Sequence, residues 1–198
     1  MLITEYRLDL VIQALRAILP LEHPADTTLR YFFKNERIGS NERELVAESV
    51  FGVLRHRLLL EQACGDNATP RRMALAHLLR FGGYNLRELE PVLKRDEKDW
   101  LATVKGVKAE ELPLPVQAEL PEWLVEKMRT SYSDADILAI GLSMQQGAPL
   151  DIRVNTLLAR REDILQQLRG KNIEATATPY SPIGIRLKEK IPLNRDAL

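Results

Sequence analysis

Apolar residues recur at helical spacing through most of the first 148 residues of the chain. They predict helices over residues 8–19, 26–35 and 40–64, the first of which ends at a proline. Asp26 is expected to cap the second helix. Asn41 and Glu44 have the spacing of a capping box at the start of the third, which is predicted to be the spine of the domain.

The helical pattern continues, with interruptions, as far as residue 148. A helix is predicted to open at Pro70 in its first turn and to end before Gly82, and two shorter helices are predicted over 86–95 and 97–104. Residues 106–121 contain a glycine and three prolines, which favours an extended connection. A helical pair should follow, its second member capped by Ser133 with Asp136.

The period of the apolar residues changes from 3.6 to 2 at about Pro149. Strands are predicted over residues 150–156, 173–177 and 183–187, with a helix over 161–169 between the first two. A strand, a helix and a strand in about 30 residues form a βαβ unit, so the first two strands should be parallel neighbours. A hairpin then leads into the third strand.

Strand alternation assigns each side chain of this module to one of two faces. The apolar face is expected to pack on Ile164, Leu165 and Leu168 of the helix. The opposite face is predicted to present four polar side chains together, which are Arg153, Asn155, Arg186 and Lys188.

These patterns predict a mainly α chain with two parts. An all-helical bundle should occupy residues 1–145, with a linker near 106–121. A small α/β module should occupy 149–198, with a strand-helix-strand-strand order that stops before a complete domain. No internal repeat is visible.

Charge and cysteine content exclude some classes of protein. The chain has 28 basic and 28 acidic residues, but residues 1–148 hold 19 against 22, and residues 149–198 hold 9 against 6. The overall charge therefore does not favour a polyanion partner, and only the α/β module is net positive. A single cysteine, Cys64, excludes an intrachain disulfide. Neither a membrane span nor a signal peptide is predicted, which favours the cytoplasm.

No catalytic or metal-binding motif is evident. The chain lacks a P-loop, a G-x-G-x-x-G fingerprint and a G-x-S-x-G elbow, its three histidines are widely separated, and Cys64 is predicted to be a buried packing residue. Two arginine pairs remain as candidate phosphate contacts, Arg55 with Arg57 and Arg71 with Arg72. For both pairs the sequence favours an ordinary polar helix face over a phosphate site, because arginine is a common surface residue.

Three segments resemble one family of enzymes. Residues 40–55, Ser-Asn-Glu-Arg-Glu-Leu-Val through Val-Phe-Gly-Val-Leu-Arg, are similar to the signature helix of NusB-like RNA-binding domains. Residues 120–124, Leu-Pro-Glu-Trp-Leu, and 149–156, Pro-Leu-Asp-Ile-Arg-Val-Asn-Thr, resemble segments of Sun-type (RsmB-like) RNA cytosine-C5 methyltransferases. The order and spacing of the segments fit over nearly the whole chain.

This resemblance implies a NusB-like helical domain and an RRM-like substrate-recognition module. In the family, a catalytic domain follows that binds S-adenosylmethionine and methylates C5 of a cytosine in ribosomal RNA. The catalytic cysteine of the family is next to a proline, whereas Cys64 follows Ala63. The Gly-rich cofactor loop of the family also has no match in this sequence. The chain is therefore expected to be the RNA-binding half of such an enzyme, either as a fragment or as a truncated gene product. S-adenosylmethionine is expected to bind to the catalytic domain, which these residues do not include.

Ribosomal RNA is the partner that this interpretation predicts, with a possible protein partner on the helical domain. The alternative is a NusB-like module for protein interaction or antitermination-type RNA binding, with no enzymatic role. The eight arginine, asparagine and lysine positions named above are the candidate RNA contacts. No catalytic, cofactor or metal ligand is assigned to any residue.

Overall fold

A computed structural model describes residues 2–189 and divides the chain into two compact units. The first unit extends to Gln145 and the second begins at Gln146. The predicted mainly α fold class is confirmed, because within the described residues the first unit is helical and the second contains a three-stranded sheet. The last part of the predicted module, residues 190–198, lies outside the described residues.

The helical unit contains ten α-helices within its described residues, joined by short turns. They are α1 (Glu5–Ile18), α2 (Ala25–Asn35), α3 (Ser40–Arg55), α4 (Arg57–Cys64), α5 (Pro70–Arg80), α6 (Leu86–Leu89), α7 (Glu97–Gly106), α8 (Leu114–Ala118), α9 (Glu122–Met128) and α10 (Asp134–Gln145).

The main core of the helical unit surrounds α5, in which every residue from Met73 to Leu79 is buried. A helix that is buried on all sides belongs at the centre of a bundle. Here α1 packs against both α3 and α5, and Thr4 and Thr69 cap α1 and α5 through their side-chain oxygens. The spine of the unit is therefore α5, and the prediction that the helix over 40–64 fills this role is wrong.

The predicted helix over 40–64 is divided at His56, which leaves the helical conformation with φ −110° and ψ 32°. The backbone N–H groups of Leu58 and Leu59 donate to the carboxylate of Glu119 at 2.9 and 3.2 Å, which satisfies the first turn of α4. Burial outweighs these bonds and raises the pKa of Glu119 to about 7. The His56 ring stacks on Phe81 with 3.7 Å between centroids.

Local capping predictions have mixed outcomes. Ser133 and Asp136 form the predicted reciprocal bonds at the start of α10, with N–H to oxygen distances of 3.2 Å in both directions. The cap of α2 is Pro24 and that of α3 is Gly39, and neither makes a side-chain cap bond, so the Asp26 cap and the Asn41–Glu44 box are wrong. The segment 106–121 is not fully extended, because it contains α8.

The second unit contains β1 (Leu150–Arg153), α11 (Arg161–Gly170), β2 (Ala175–Ala177) and β3 (Gly184–Leu187). The strand order is β1-β3-β2, and β3 is antiparallel to both neighbours. The strands β1 and β2 therefore run in the same direction, but the prediction that they are neighbours is wrong because β3 lies between them. This arrangement is a split βαβ unit, as in ferredoxin-like folds.

The predicted apolar face of the sheet is confirmed. Val154, Ile185 and Leu187 are buried together with Leu168 of α11, and Ile164 and Leu165 pack against them. Residues two apart on a strand point to the same face, so this packing fixes which side chains face away from α11.

A close approach between α3 and α5 yields a first testable prediction. A Cβ atom on Gly52 would lie 2.1 Å from Cε1 of His77, whose side chain is buried and whose Nδ1 has no hydrogen-bond partner among the described residues. Overpacking costs about 1–3 kcal/mol, and alanine is favoured over glycine in a helix by about 1 kcal/mol. We expect Gly52→Ala to lower the free energy of unfolding in urea by about 1 kcal/mol.

The double variant Gly52→Ala/His77→Ala should be more stable than the sum of the two single effects predicts, because the second change removes the obstacle. Gly106→Ala is the control, since a Cβ there has no neighbour within 4 Å. Additive effects of the two substitutions would contradict this account of the contact.

Candidate nucleic-acid interface

The sheet of the second unit presents a polar face away from α11, and Arg186 lies at its centre. Arg186 on β3 is paired in register with Asp151 on β1 and Thr176 on β2. Its Nε and Nη2 donate to the two carboxylate oxygens of Asp151, both at 2.8 Å. This bidentate bond lowers the pKa of Asp151. The guanidinium predicted to contact RNA is thus already engaged by a carboxylate.

Lys188 has a similar carboxylate partner, because its Nζ donates to Glu174 at 2.5 Å. Both pairs are exposed to solvent, so each adds little to stability and can be exchanged for another anion. Sequence reasoning omitted Asp151 and Glu174. The signal was present in the alternation, since Asp151 is two residues before Arg153 and therefore shares its face.

The other two residues predicted for this face, Arg153 and Asn155, lie at or beyond the end of β1. Arg153 is exposed at the end of β1, opposite Gly184, and makes no ion pair within residues 2–189. Asn155 lies beyond the end of the strand, and its Oδ1 accepts a bond from the N–H of Leu157 at 3.1 Å. The strand β1 thus ends earlier than the predicted range of 150–156, and a local turn holds the Asn155 side chain.

A cavity of about 960 Å³ lies at the end of the sheet where Arg186 and Lys188 are found. Its lining is mixed in charge, because Arg169 adds a third cation while Glu174 and Glu189 add carboxylates. The cations of the polar face thus border a concave surface that combines positive and negative groups. An RNA phosphate would have to compete with those carboxylates for the same donors.

Arg71 has a structural role in the helical unit. Its Nε and Nη2 donate to the Glu97 carboxylate at 2.7 and 2.8 Å, and Nη2 also donates to the carbonyl of Val92 at 2.8 Å. Only 6% of the Glu97 side chain is exposed. The donors of Arg71 are therefore directed into the protein, and this residue is poorly placed to contact RNA.

The remaining arginines of the helical unit differ in how far they are engaged. Arg72 lies over the ring of Trp100, with 4.7 Å from its Cζ to the ring centroid. Arg57 donates to Glu61 one turn later on α4 at 2.6 Å. Arg55 is exposed and forms no ion pair in the described part of the chain. Of the four, Arg55 has the most accessible charge.

Cys64 is buried, as predicted, and burial raises the pKa of its thiol to about 11. A thiol with such a pKa remains protonated near neutrality and packs as a small apolar group. Among residues 2–189, no helix is long and apolar enough to cross a membrane.

Comparison with protein families gives a match that includes the described residues of the second unit. Residues 120–194 match the family model of the RsmF/B-like methyltransferase ferredoxin-like domain. The split βαβ sheet and its packed helix agree with the ferredoxin-like part of that description. The match begins before the second unit and includes α9 and α10.

The chain is also similar to a longer curated protein, the probable ribosomal RNA small subunit methyltransferase B of a Synechocystis species. The two are 24% identical in an alignment 208 residues long, and the alignment covers 89% of this chain and 47% of that protein. The chain thus spans about half the length of this relative. The resemblance to the N-terminal portion of Sun-type methyltransferases is confirmed by this match and by the ferredoxin-like domain.

A solved structure supports the fold. The crystal structure of PH0851 superposes on all of this chain and on 51% of its own chain, with a TM-score of 0.55 and 18% sequence identity. At this identity the likeness shows the fold alone.

Proposed function

We propose that this chain is the RNA-binding, substrate-recognition portion of an S-adenosylmethionine-dependent ribosomal RNA cytosine-C5 methyltransferase. The observation that carries the proposal is the family match over residues 120–194, supported by the similarity of 89% of the chain to a ribosomal RNA methyltransferase. The ferredoxin-like sheet supplies the RNA contacts through Arg153, Arg186 and Lys188, and the helical domain, which we take to be NusB-like, supplies further contacts.

The proposal for this chain is confined to recognition of the RNA. S-adenosylmethionine supplies the methyl group in this family, and its binding calls for a Gly-rich loop after a strand. Within residues 2–189, none of the three strands is followed by a cluster of glycines. No step of methyl transfer is therefore assigned to residues of this chain.

The ion pair between Asp151 and Arg186 offers a direct test of the proposed sheet surface. We expect Asp151→Asn to raise affinity for a small-subunit ribosomal RNA fragment about threefold to tenfold, because the released guanidinium can bind phosphate and a repulsive charge is lost. Arg153→Ala/Arg186→Ala should lower affinity by roughly tenfold or more. Fluorescence anisotropy at several salt concentrations measures both changes.

The matched control for Asp151→Asn is Asp163→Asn, which removes an exposed carboxylate from the first turn of α11 instead of from the sheet. It should leave affinity nearly unchanged. If both asparagine variants bind RNA equally well, or if the double arginine variant binds like the parent chain with its circular dichroism intact, then the sheet face is not the RNA surface.

A further inference from the structure

The helical unit contains an open groove of about 600 Å³ between α2 and α3, hereafter the α2–α3 groove. Helix α2 contributes Arg30 and Lys34, and helix α3 contributes Arg43 and Phe51. The ring of Phe33 also lines the groove, and buried Leu29 is part of its lining. Three cations and two aromatic rings thus meet in one concave surface that the sequence motifs did not indicate.

Helical geometry explains why these side chains align. Arg30 and Lys34 are four residues apart and therefore occupy one face of α2. Arg43 and Phe51 are eight residues apart on α3, about two turns or 12 Å, and also share a face. The α2 wall of the groove therefore carries Arg30 and Lys34. The α3 wall carries Arg43 at one end and the ring of Phe51 at the other.

The Phe51 ring is exposed, and Arg43 is held beside the partly buried ring of Phe33. Phe51 is 40% exposed, whereas four other apolar residues of its helix are buried in the core, Leu45, Val46, Val50 and Val53. The guanidinium of Arg43 lies 5.9 Å from the centroid of the Phe33 ring, and its Nη2 donates to the carbonyl of Phe33 at 3.5 Å. Arg43 therefore bridges the two helices.

The charge of the groove contrasts with that of its unit. Its one carboxylate is Asp26, which is 3.8 Å from Arg30, and both side chains are more than 60% exposed, so the pair is weak. Three cations against one carboxylate give the groove an excess of two positive charges. Residues 1–148 as a whole carry three more acidic than basic residues. The groove is therefore a positively charged surface on a unit whose net charge is negative.

We propose that the α2–α3 groove binds single-stranded RNA, with phosphates at Arg30, Lys34 and Arg43 and a base stacked on Phe51. The inference rests on the proposed function and extends the RNA-binding surface to the helical unit. Cations that follow the backbone, together with exposed rings on which bases stack, are the features by which proteins bind single strands. A duplex would not offer the face of a base to Phe51, because its bases are stacked on one another.

Charge and ring variants should have different signatures in anisotropy titrations of a fluorescein-labelled 12-nucleotide single-stranded RNA. Lys34→Ala/Arg43→Ala should lower affinity about tenfold and reduce the slope of log affinity against log salt by about 1.4, since two phosphate contacts are lost. Phe51→Ala should also lower affinity about tenfold but leave that slope unchanged, because stacking releases no counterions.

Two substitutions on neighbouring surfaces are matched controls. Tyr31→Ala removes an exposed ring from α2 outside the groove lining, and Arg16→Ala removes an exposed cation from α1. Both should bind the 12-mer within about twofold of the parent chain. Circular dichroism and thermal unfolding establish that each variant is folded before its affinity is compared.

Three outcomes would overturn the inference. Groove variants that bind the 12-mer like the controls exclude the groove, and if the Asp151→Asn effect persists in the same assay, the proposed function survives that result. A 12-residue polyglutamate that competes as well as unlabelled RNA shows a site for acidic peptide instead. If the parent chain binds neither the 12-mer nor the ribosomal fragment, the proposed function fails together with the groove.

Discussion

Replacing Glu97 by alanine is expected to lower the free energy of unfolding by about 3 kcal/mol, the lower end of the range for breaking a buried ion pair. The Glu97 side chain is 6% exposed and accepts two bonds from Arg71 and one from the N–H of Lys94 at 2.8 Å. Its loss leaves a guanidinium that is only 22% exposed without a counter-charge. Urea denaturation with circular dichroism detection measures the change.

The pH dependence of stability provides a second readout of the same pair. Burial alone would raise the pKa of Glu97, but the bonds from Arg71 and the N–H of Lys94 outweigh it and lower the pKa. The contribution of the carboxylate is therefore fully present above the pKa of the unfolded chain, near 4.5, and is lost as pH falls through the lower folded pKa. The Glu97→Ala variant should lose less stability between pH 5 and pH 3 than the parent chain.

The exposed pair of Glu90 and Lys98 is the control, because both side chains are more than half exposed. Glu90→Ala should leave the urea midpoint unchanged within error. The double variant Arg71→Met/Glu97→Leu should recover much of the stability lost in Glu97→Ala, because both charges leave the interior together. If the double variant is as unstable as Glu97→Ala, the unpaired charge of Arg71 is not the cause of the lost stability.

This pair also affects how RNA-binding data should be interpreted. Arg71 was a candidate RNA contact because it follows Pro70 in a basic pair, and nothing local in the sequence indicates that its partner is Glu97, 26 residues later. An Arg71→Ala variant should therefore lose RNA binding only in proportion to its loss of folded protein. Measurements well below its unfolding midpoint separate the two effects.

Sequence periodicity predicted well which residues each element buries. The apolar positions of β1, β3 and α11 form the predicted core because alternation and helical spacing depend only on neighbours along the chain. Strand order depends on long-range pairing. The βαβ rule predicted β1 and β2 as neighbours, but β3 lies between them. The break at His56 likewise depends on Glu119, about 60 residues away.

The same distinction applies to the candidate site. Alternation correctly placed Arg153, Arg186 and Lys188 away from α11, but the prediction considered only the cations. The bidentate bond from Arg186 to Asp151 depends on the register between two strands that are 35 residues apart in sequence. The α2–α3 groove was missed because its cations belong to two helices, and neither helix alone shows a cluster.

The largest steric effect is expected for Gly141→Ala in α10. A Cβ atom there would lie 2.4 Å from the carbonyl oxygen and 2.7 Å from the Cα of Ala118 in α8. Both of these atoms belong to the backbone of α8, so no rotamer change can relieve the contact and the two helices must separate. The upper end of the usual overpacking cost is about 3 kcal/mol, and a helix favours alanine over glycine by about 1 kcal/mol, so we expect a net loss of about 2 kcal/mol.

This loss should be concentrated in the small cluster that α8, α9 and α10 share, which is formed by Ala118, Leu120, Val125 and Ile137. Hydrogen exchange of amides in α10 should accelerate more than exchange in α5, because the main core around α5 does not include this contact. Equal acceleration in both helices would show that the two clusters unfold as one unit and would contradict a local effect.

Gly147→Ala is the matched control, since a Cβ there has no neighbour within 4 Å. A second comparison tests the cause. His77→Ala should rescue Gly52→Ala because the obstacle there is a side chain, whereas Ala118→Gly should not rescue Gly141→Ala because the carbonyl oxygen and Cα remain. Rescue at position 141 would mean that the Cβ of Ala118, also 2.7 Å away, is the atom that matters. The backbones of α8 and α10 would then have room to accept an alanine.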